Sequence, residues 1–137
     1  MDLPNALSER VKMSEATEEN EEEVRKSNLL LQAALSRDQG DQEQAAERFA
    51  VAAEIEERLA ADAEARQEWE KALHLRYSAA SGWAYAGDFH HALALLRTLE
   101  ANAKTPPALR VRIHSFAERV QAQREQWHQS LRESALA

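Results

Sequence analysis

The 137-residue chain has 17 Lys and Arg against 24 Asp and Glu, a net charge of −7, with 44% hydrophobic residues, three Gly, three Pro and no Cys. At this length one domain is expected, and so few Gly and Pro argue against the many turns of a β-sandwich or barrel and for an all-α chain. The lack of Cys excludes a disulfide framework, a zinc–thiolate site and a thiol nucleophile.

No apolar run approaches the roughly 18 residues of a membrane span. The start, MDLPNALSERVKMSEATEENEEE, has no signal-peptide core and is too acidic for a transit peptide. The reading is a cytoplasmic protein with no membrane contact. Charge is segregated: residues 1–25 hold eight acids and three bases, whereas residues 104–137 hold six bases and three acids. Such an acidic head and basic tail can attract each other, within the fold or between copies; the plainer alternative is two solvated helix faces. The overall acidity argues against general nucleic-acid binding, which relies on clustered bases.

In chain order, residues 1–14 read as a mobile acidic arm. A first, long helix is expected over residues 15–38, its glutamates between Glu18 and Glu23 suiting a helix N-terminus. Its apolar stripe is Val24, Leu31 and Leu35, at steps of seven and four, with Leu29 and Leu30 to either side. Gly40-Asp41 signals a stop and a restart, Gly in the left-handed conformation and Asp as the next N-cap. The second helix carries Ala45, Phe49, Ala52, Ile55 and Leu59 on one face. No Gly or Pro ends it, so a turn is placed near Ala60–Ala63, with Asp62 as cap. The third helix then runs over residues 63–86 with Trp69, Leu73, Tyr77, Ala80 and Trp83. Gly87-Asp88 repeats the turn signal, and the fourth helix carries Ala92, Leu95, Leu96 and Leu99. Thr105-Pro106-Pro107 opens a long fifth helix, Thr as cap and Pro in the first turn, over residues 106–134. Its stripe is Leu109, Ile113, Phe116, Val120 and Trp127, and its outer side is basic.

Two segments share one spacing: Gly40-Asp41 followed by Ala45, Phe49 and Ala52, and Gly87-Asp88 followed by Ala92, Leu96 and Leu99. Ala33 and Ala80 stand seven residues before each Gly, and Trp83 stands four before Gly87, where Ser36 stands in the first unit. In these features the chain resembles the tetratricopeptide repeat, a helix–turn–helix unit of 34 residues, over roughly Leu29–Glu56 and Arg76–Ala103. The two units lie 47 residues apart, and no proline closes the first. An unrelated helical bundle with Gly-Asp turns is the alternative. The resemblance implies antiparallel helical hairpins, about five helices, in one domain over 15–137 with repeat-like units at 26–59 and 73–104.

It also implies an interaction module whose groove holds a peptide or helix of a partner protein. Carried onto this chain, the groove positions are Ser27, Leu30, Ala34 and Arg37, then His74, Tyr77, Ser81 and Ala84, with Tyr85 at the edge. Arg110, His114 and Arg124 join by the order of the last helix. Leu30 and Ala34 stand where chaperone-tail binders have Lys and Asn, so no such clamp is expected. Tyr77 and Tyr85 offer apolar area with a polar tip, or are ordinary half-buried aromatics. Two units are fewer than a stable stack needs, so the long end helices cap the array or a second copy does. Leu29–Leu31 is more than one helix face buries, which favours a further contact, within the fold or in a homodimer.

No Gly-rich phosphate loop or GxSxG elbow is present. Glu125 and His128 form a single ExxH step, the element of carboxylate metal bundles, but without its second copy. His90 and His91 point apart and read as turn residues; His74 and His114 read as packing or groove residues. No cofactor and no metal is therefore expected, and the chain reads as a non-catalytic adaptor or scaffold subunit. Two other classes stay open. One is a helical subunit of a nucleoprotein complex using Arg110, Arg112, Arg119 and Arg124; the other is a chaperone of secreted proteins.

Overall fold

A computed structural model describes residues 3–136 and contains five helices and, among the described residues, no strand. They are α1 (Leu3–Asp38), α2 (Gln42–Ala65), α3 (Trp69–Tyr85), α4 (Phe89–Ala101) and α5 (Pro107–Leu136). The fold is all-α, and each helix packs chiefly on the helices next to it in sequence.

Three connections use one geometry. At the first, Gly40 adopts φ +83°, its N–H donates to the Arg37 carbonyl at 3.0 Å, and Asp41 N–H donates to the Ser36 carbonyl at 2.9 Å. This Schellman pattern satisfies the last carbonyls of α1. The Asp41 carboxylate then accepts from Gln44 N–H at 3.1 Å and caps α2. Gly87 and Asp88 repeat every step, with φ +83°, the Trp83 carbonyl at 2.9 Å and a cap on His91 N–H at 3.1 Å.

The third such turn joins α2 to α3, and it lies beyond the position expected from the sequence. Asp62 is inside α2, and the chain turns at Gln67, with φ +62°, and Glu68, whose N–H donates to the Ala63 carbonyl at 2.8 Å. Glu68 makes no side-chain cap. A Cβ-bearing residue in this left-handed conformation is strained by about 1 kcal/mol. Gln67→Gly is therefore expected to raise the stability by about 0.5–1 kcal/mol, less Gly's unfolded-state entropy. A denaturation midpoint unchanged or lowered in this variant would contradict that geometry.

The core follows from small residues. Ala52, Ala53, Ala60 and Ala63 on α2 and Ala72, Ala79 and Ala80 on α3 are fully buried. Gly82 sits against α2, so that a Cβ there would lie 3.1 Å from Ala53 Cβ. Short side chains let the two helices approach closely. The larger cluster of Leu73, Trp83, Leu93, Leu96, Leu99, Leu109, Ile113 and Val120 joins α3, α4 and α5.

Both end helices differ from expectation. α1 begins at Leu3, so residues 3–14, read as an arm, are helical; residues 1 and 2 of that arm lie outside the described residues. The buried side of α1 is Ala33 and Ser36, with Leu29 and Leu30 half-buried against α2, while the stripe Val24, Leu31 and Leu35 is exposed. The reason is polar as much as apolar: Glu19 pairs with Arg66, Glu22 with Arg58 at 3.0 Å, and Ser36 Oγ accepts from Arg48 at 2.8 Å. These contacts turn the Leu29–Leu30 side of α1 onto α2. At the other end Thr105 does not cap α5; it is buried and its hydroxyl donates to the Leu99 carbonyl at 2.6 Å, tying the connection to α4. From residue 121 to Leu136 only Arg124 is even half-buried, so the last four turns of α5 are exposed on their outer sides.

Among the described residues, one buried side-chain oxygen is unsatisfied. Glu56 is almost inaccessible and its Oε1 has no hydrogen-bond partner. Burial pushes its pKa up, opposed by the Ser78 hydroxyl and the Lys26 charge.

Candidate functional site

The face shared by α3 and α5 is where aromatic rings and cations collect. On α3 the residues spaced to face α5 are Trp69, Leu73, Tyr77 and Ala84, with Tyr85 at the lower edge; α5 presents Leu109, Arg112, Phe116, Arg119 and Trp127. Tyr77 and Phe116 meet at the middle, ring centroids 5.9 Å apart and tilted by 59°.

Two clefts open on either side of that pair. The upper one, about 540 Å³, is lined by Trp69, His74, Lys104, Pro106, Leu109 and Arg112, with Glu70. The lower one, about 590 Å³, lies between α5 and the closed ends of the two hairpins, lined by Arg37, Gln42, Tyr85, Phe89, Phe116, Arg119, Gln123 and Trp127. Among the described residues, no acidic side chain lines the lower cleft.

Each cation along this face sits over a ring. Lys104 Nζ is 4.4 Å from the Trp69 centroid, Arg112 is 5.6 Å from Tyr77, Arg119 is 5.3 Å from Phe116, and Arg37 is 5.5 Å from Tyr85. Tyr85 is itself stacked on Phe49 at 5.1 Å, which fixes the Arg37 platform to α2. Ring faces attract these cations and hold them in place. Among the described residues none of the four cations has a carboxylate within ion-pair distance. Other arginines of the body are engaged: Arg76 with Glu64 in a two-pronged pair, Arg58 with Glu22, Arg66 with Glu19. The Arg76 guanidinium holds the Glu64 carboxyl below its ordinary pKa.

The residues expected to bind a partner do not all come together. Arg37, Tyr77 and Tyr85 lie on this face, and His74 lines its upper cleft. Ser81 is half-buried on α3, and Leu30 packs against the Phe49 cluster, which places Leu30 between α1 and α2. Arg110 is structural. Its guanidinium donates to the carbonyls of Glu100, Asn102 and Thr105, the latter two at 3.1 Å, and holds the α4–α5 connection. Arg124 is half-buried near the start of the exposed C-terminal part of α5. His114 faces α4 instead of the clefts, with Nδ1 2.7 Å from Glu100 and Nε2 3.1 Å from Glu118. The hydrogen bond and charge of Glu100, with Glu118, raise its pKa above the ordinary histidine value.

No protein-family model matches the chain, and no curated protein or solved structure does.

Sequence reasoning misses Trp69, Phe116 and Trp127 as members of this face, and it offers Arg112 and Arg119 only as phosphate contacts of the nucleoprotein alternative. A signal that joins them exists: Arg112, Phe116 and Arg119 recur at steps of four and three on the last helix. Apolar spacing alone assigns Phe116 and Trp127 to the core. The two adjacent histidines also part company: His90 is exposed and makes no ring contact, while His91 is half-buried, stacks on Trp83 at 4.1 Å and lies 3.1 Å from Glu57. Glu57 also accepts from Trp83 Nε1 at 2.8 Å. Glu125 and His128 are both exposed, and among the described residues no three His, Asp or Glu side chains come together as a metal site. Among the described residues, no helix is long and apolar enough to cross a membrane.

Proposed function

We propose that the chain is a non-catalytic interaction subunit of tetratricopeptide-like design that holds an acidic segment of a partner protein along the α3–α5 face. The observation that carries this reading is the row Lys104, Arg112, Arg119 and Arg37, each over an aromatic ring, in a chain of net charge −7. Cations with no carboxylate of their own among the described residues, held over aromatic rings, suit a ligand that alternates carboxylates with apolar side chains. Arg offers such a ligand a planar fork of donors. The rings supply contact area at low entropy cost, as they do in other binding surfaces.

The test is fluorescence anisotropy with a labelled 15-residue peptide of alternating Glu and Leu or Phe, beside the same peptide with Lys for Glu. The acidic peptide is expected to bind and the basic one not to. Arg119→Glu reverses a charge on the wall of the lower cleft and is expected to weaken the acidic peptide by about tenfold or more, the worth of a charged hydrogen bond. An equal response to both peptides would end the reading. Arginines over rings also suit unstacked bases; a salt-dependent shift of labelled oligouridine, with no response to the acidic peptide, would replace the proposal with the nucleoprotein one.

A further inference from the structure

One charged side chain stands in an apolar row. The buried row of α2 is Ala45, Phe49, Ala52, Glu56, Leu59 and Ala63, at steps of four and three. All are apolar except Glu56, which is 1% exposed and has no hydrogen-bond partner for Oε1. Glutamate is almost never buried so deeply unless it is fully paired. A leucine at this position would leave no polar group to satisfy, so packing does not account for a carboxyl here.

The surroundings of Glu56 come from three helices. α1 faces it with Lys26 and Glu23, and α3 faces it with the hydroxyl of Ser78 and brings no charge. Its α2 neighbours Ile55, Leu59 and Ala60 belong to an apolar cluster completed by Leu75 of α3 and Leu29 of α1. Only 15% of the Lys26 side chain is exposed, and its ammonium lies 3.1 Å from Glu23. One cation thus serves two carboxylates and neutralises Glu56 only in part. A bound proton removes the charge that burial penalises.

α1 is the helix whose departure relieves this site at least cost. It ends the array and has a neighbour on one side only. Lifting it brings water to Glu56 and carries Lys26 away, while the alanine-lined seam of α2 and α3 stays closed. Burial raises the Glu56 pKa while α1 is docked, and the raised value falls back once water reaches the carboxyl. The docked form therefore holds the proton more tightly. Docking has its full strength below the ordinary glutamate pKa and loses it progressively as pH rises to the raised, docked value.

We propose that Glu56 is a proton latch for α1: with its carboxyl protonated the helix is held on α2, and loss of that proton lets the helix lift. Glu56 lines neither cleft of the α3–α5 face, so the latch stands apart from the peptide-binding reading.

The test uses the full chain. Glu56→Gln has nearly the same shape, carries no charge at any pH and keeps the ion pairs of Glu19 and Glu22 with α2. Hydrogen exchange of the amides from Val24 to Ser36 gives an opening constant for α1 in each protein. The ratio of wild type to Glu56→Gln is expected to rise between about pH 5 and about pH 8 by up to tenfold per unit, the dependence of a single proton. α1 is expected to open ahead of α3 throughout. The Glu56 carboxyl carbon of the wild type, assigned through its own side chain, is expected to titrate above the ordinary glutamate range, and higher still in Lys26→Met. A ratio that does not change with pH overturns the proposal. So does a Glu56 carboxyl that titrates at the ordinary value, or an α1 that opens only together with α3.

Discussion

Trp83→Ala is expected to destabilise the protein by about 3–5 kcal/mol, the cost of removing a large aromatic from a packed core. Trp83 is buried in the cluster that joins α3, α4 and α5. It does three things at once. Its ring fills the space beside Leu93 and Leu96, its Nε1 donates to Glu57 of α2, and its face carries His91 of α4. The substitution thus opens a cavity and removes the Trp83 hydrogen bond from the Glu57 carboxylate, which keeps only His91 beside it. Trp83→Phe separates the two effects: most of the apolar contact stays and the hydrogen bond goes, for an expected loss of about 1–2 kcal/mol. Urea unfolding of the three proteins checks this order. Equal losses for Phe and Ala would mean that the polar link, and not the packing, dominates.

The second large effect is expected at Gly82, where space and not conformation sets the requirement. A Cβ would meet Ala53 Cβ at 3.1 Å and the Phe49 carbonyl oxygen at 3.4 Å. Gly82→Ala exchanges about 1 kcal/mol of helix propensity for that crowding, so a net change near zero is expected. Gly82→Leu cannot be accommodated without separating α2 from α3, and about 3 kcal/mol of destabilisation is expected, at the upper end of overpacking costs. The loss should be accompanied by exposure of the alanine-rich seam, read as an earlier unfolding of α2 relative to α4 and α5 in hydrogen exchange. Tolerance of Leu at this position would mean that the two helices are not in close contact.

Much of the architecture is legible in the residues. Gly40-Asp41 and Gly87-Asp88 announce two turns because only Gly enters the left-handed region freely and Asp caps the helix that follows. The row Leu109, Ile113 and Val120 announces the buried side of α5. Gln67 announces nothing, since a glutamine rarely adopts its conformation, and so sequence places the α2–α3 turn several residues too early. The α1 stripe misleads for another reason. Periodicity identifies an apolar face but does not say that a neighbour in the same chain lies against it, and ion pairs of Glu19 and Glu22 orient the helix the other way. The candidate site is half legible. Arg37, Tyr77, Tyr85 and His74 follow from the resemblance, but Arg119 and Phe116 need the crossing of α5 over α3.

Helices that touch mainly their neighbours in sequence give a molecule whose contacts are local along the chain. Little loop entropy has to be overcome before any one hairpin forms, so folding of such an array is fast. Nor does it have to come apart all at once. α1 can detach from α2 at the cost of their shared surface alone, while the cluster around Leu96 and Ile113 keeps the other end together. Resistance to unfolding is then a profile along the chain and not a single number, lowest at the two end helices and highest where α3 is held from both sides.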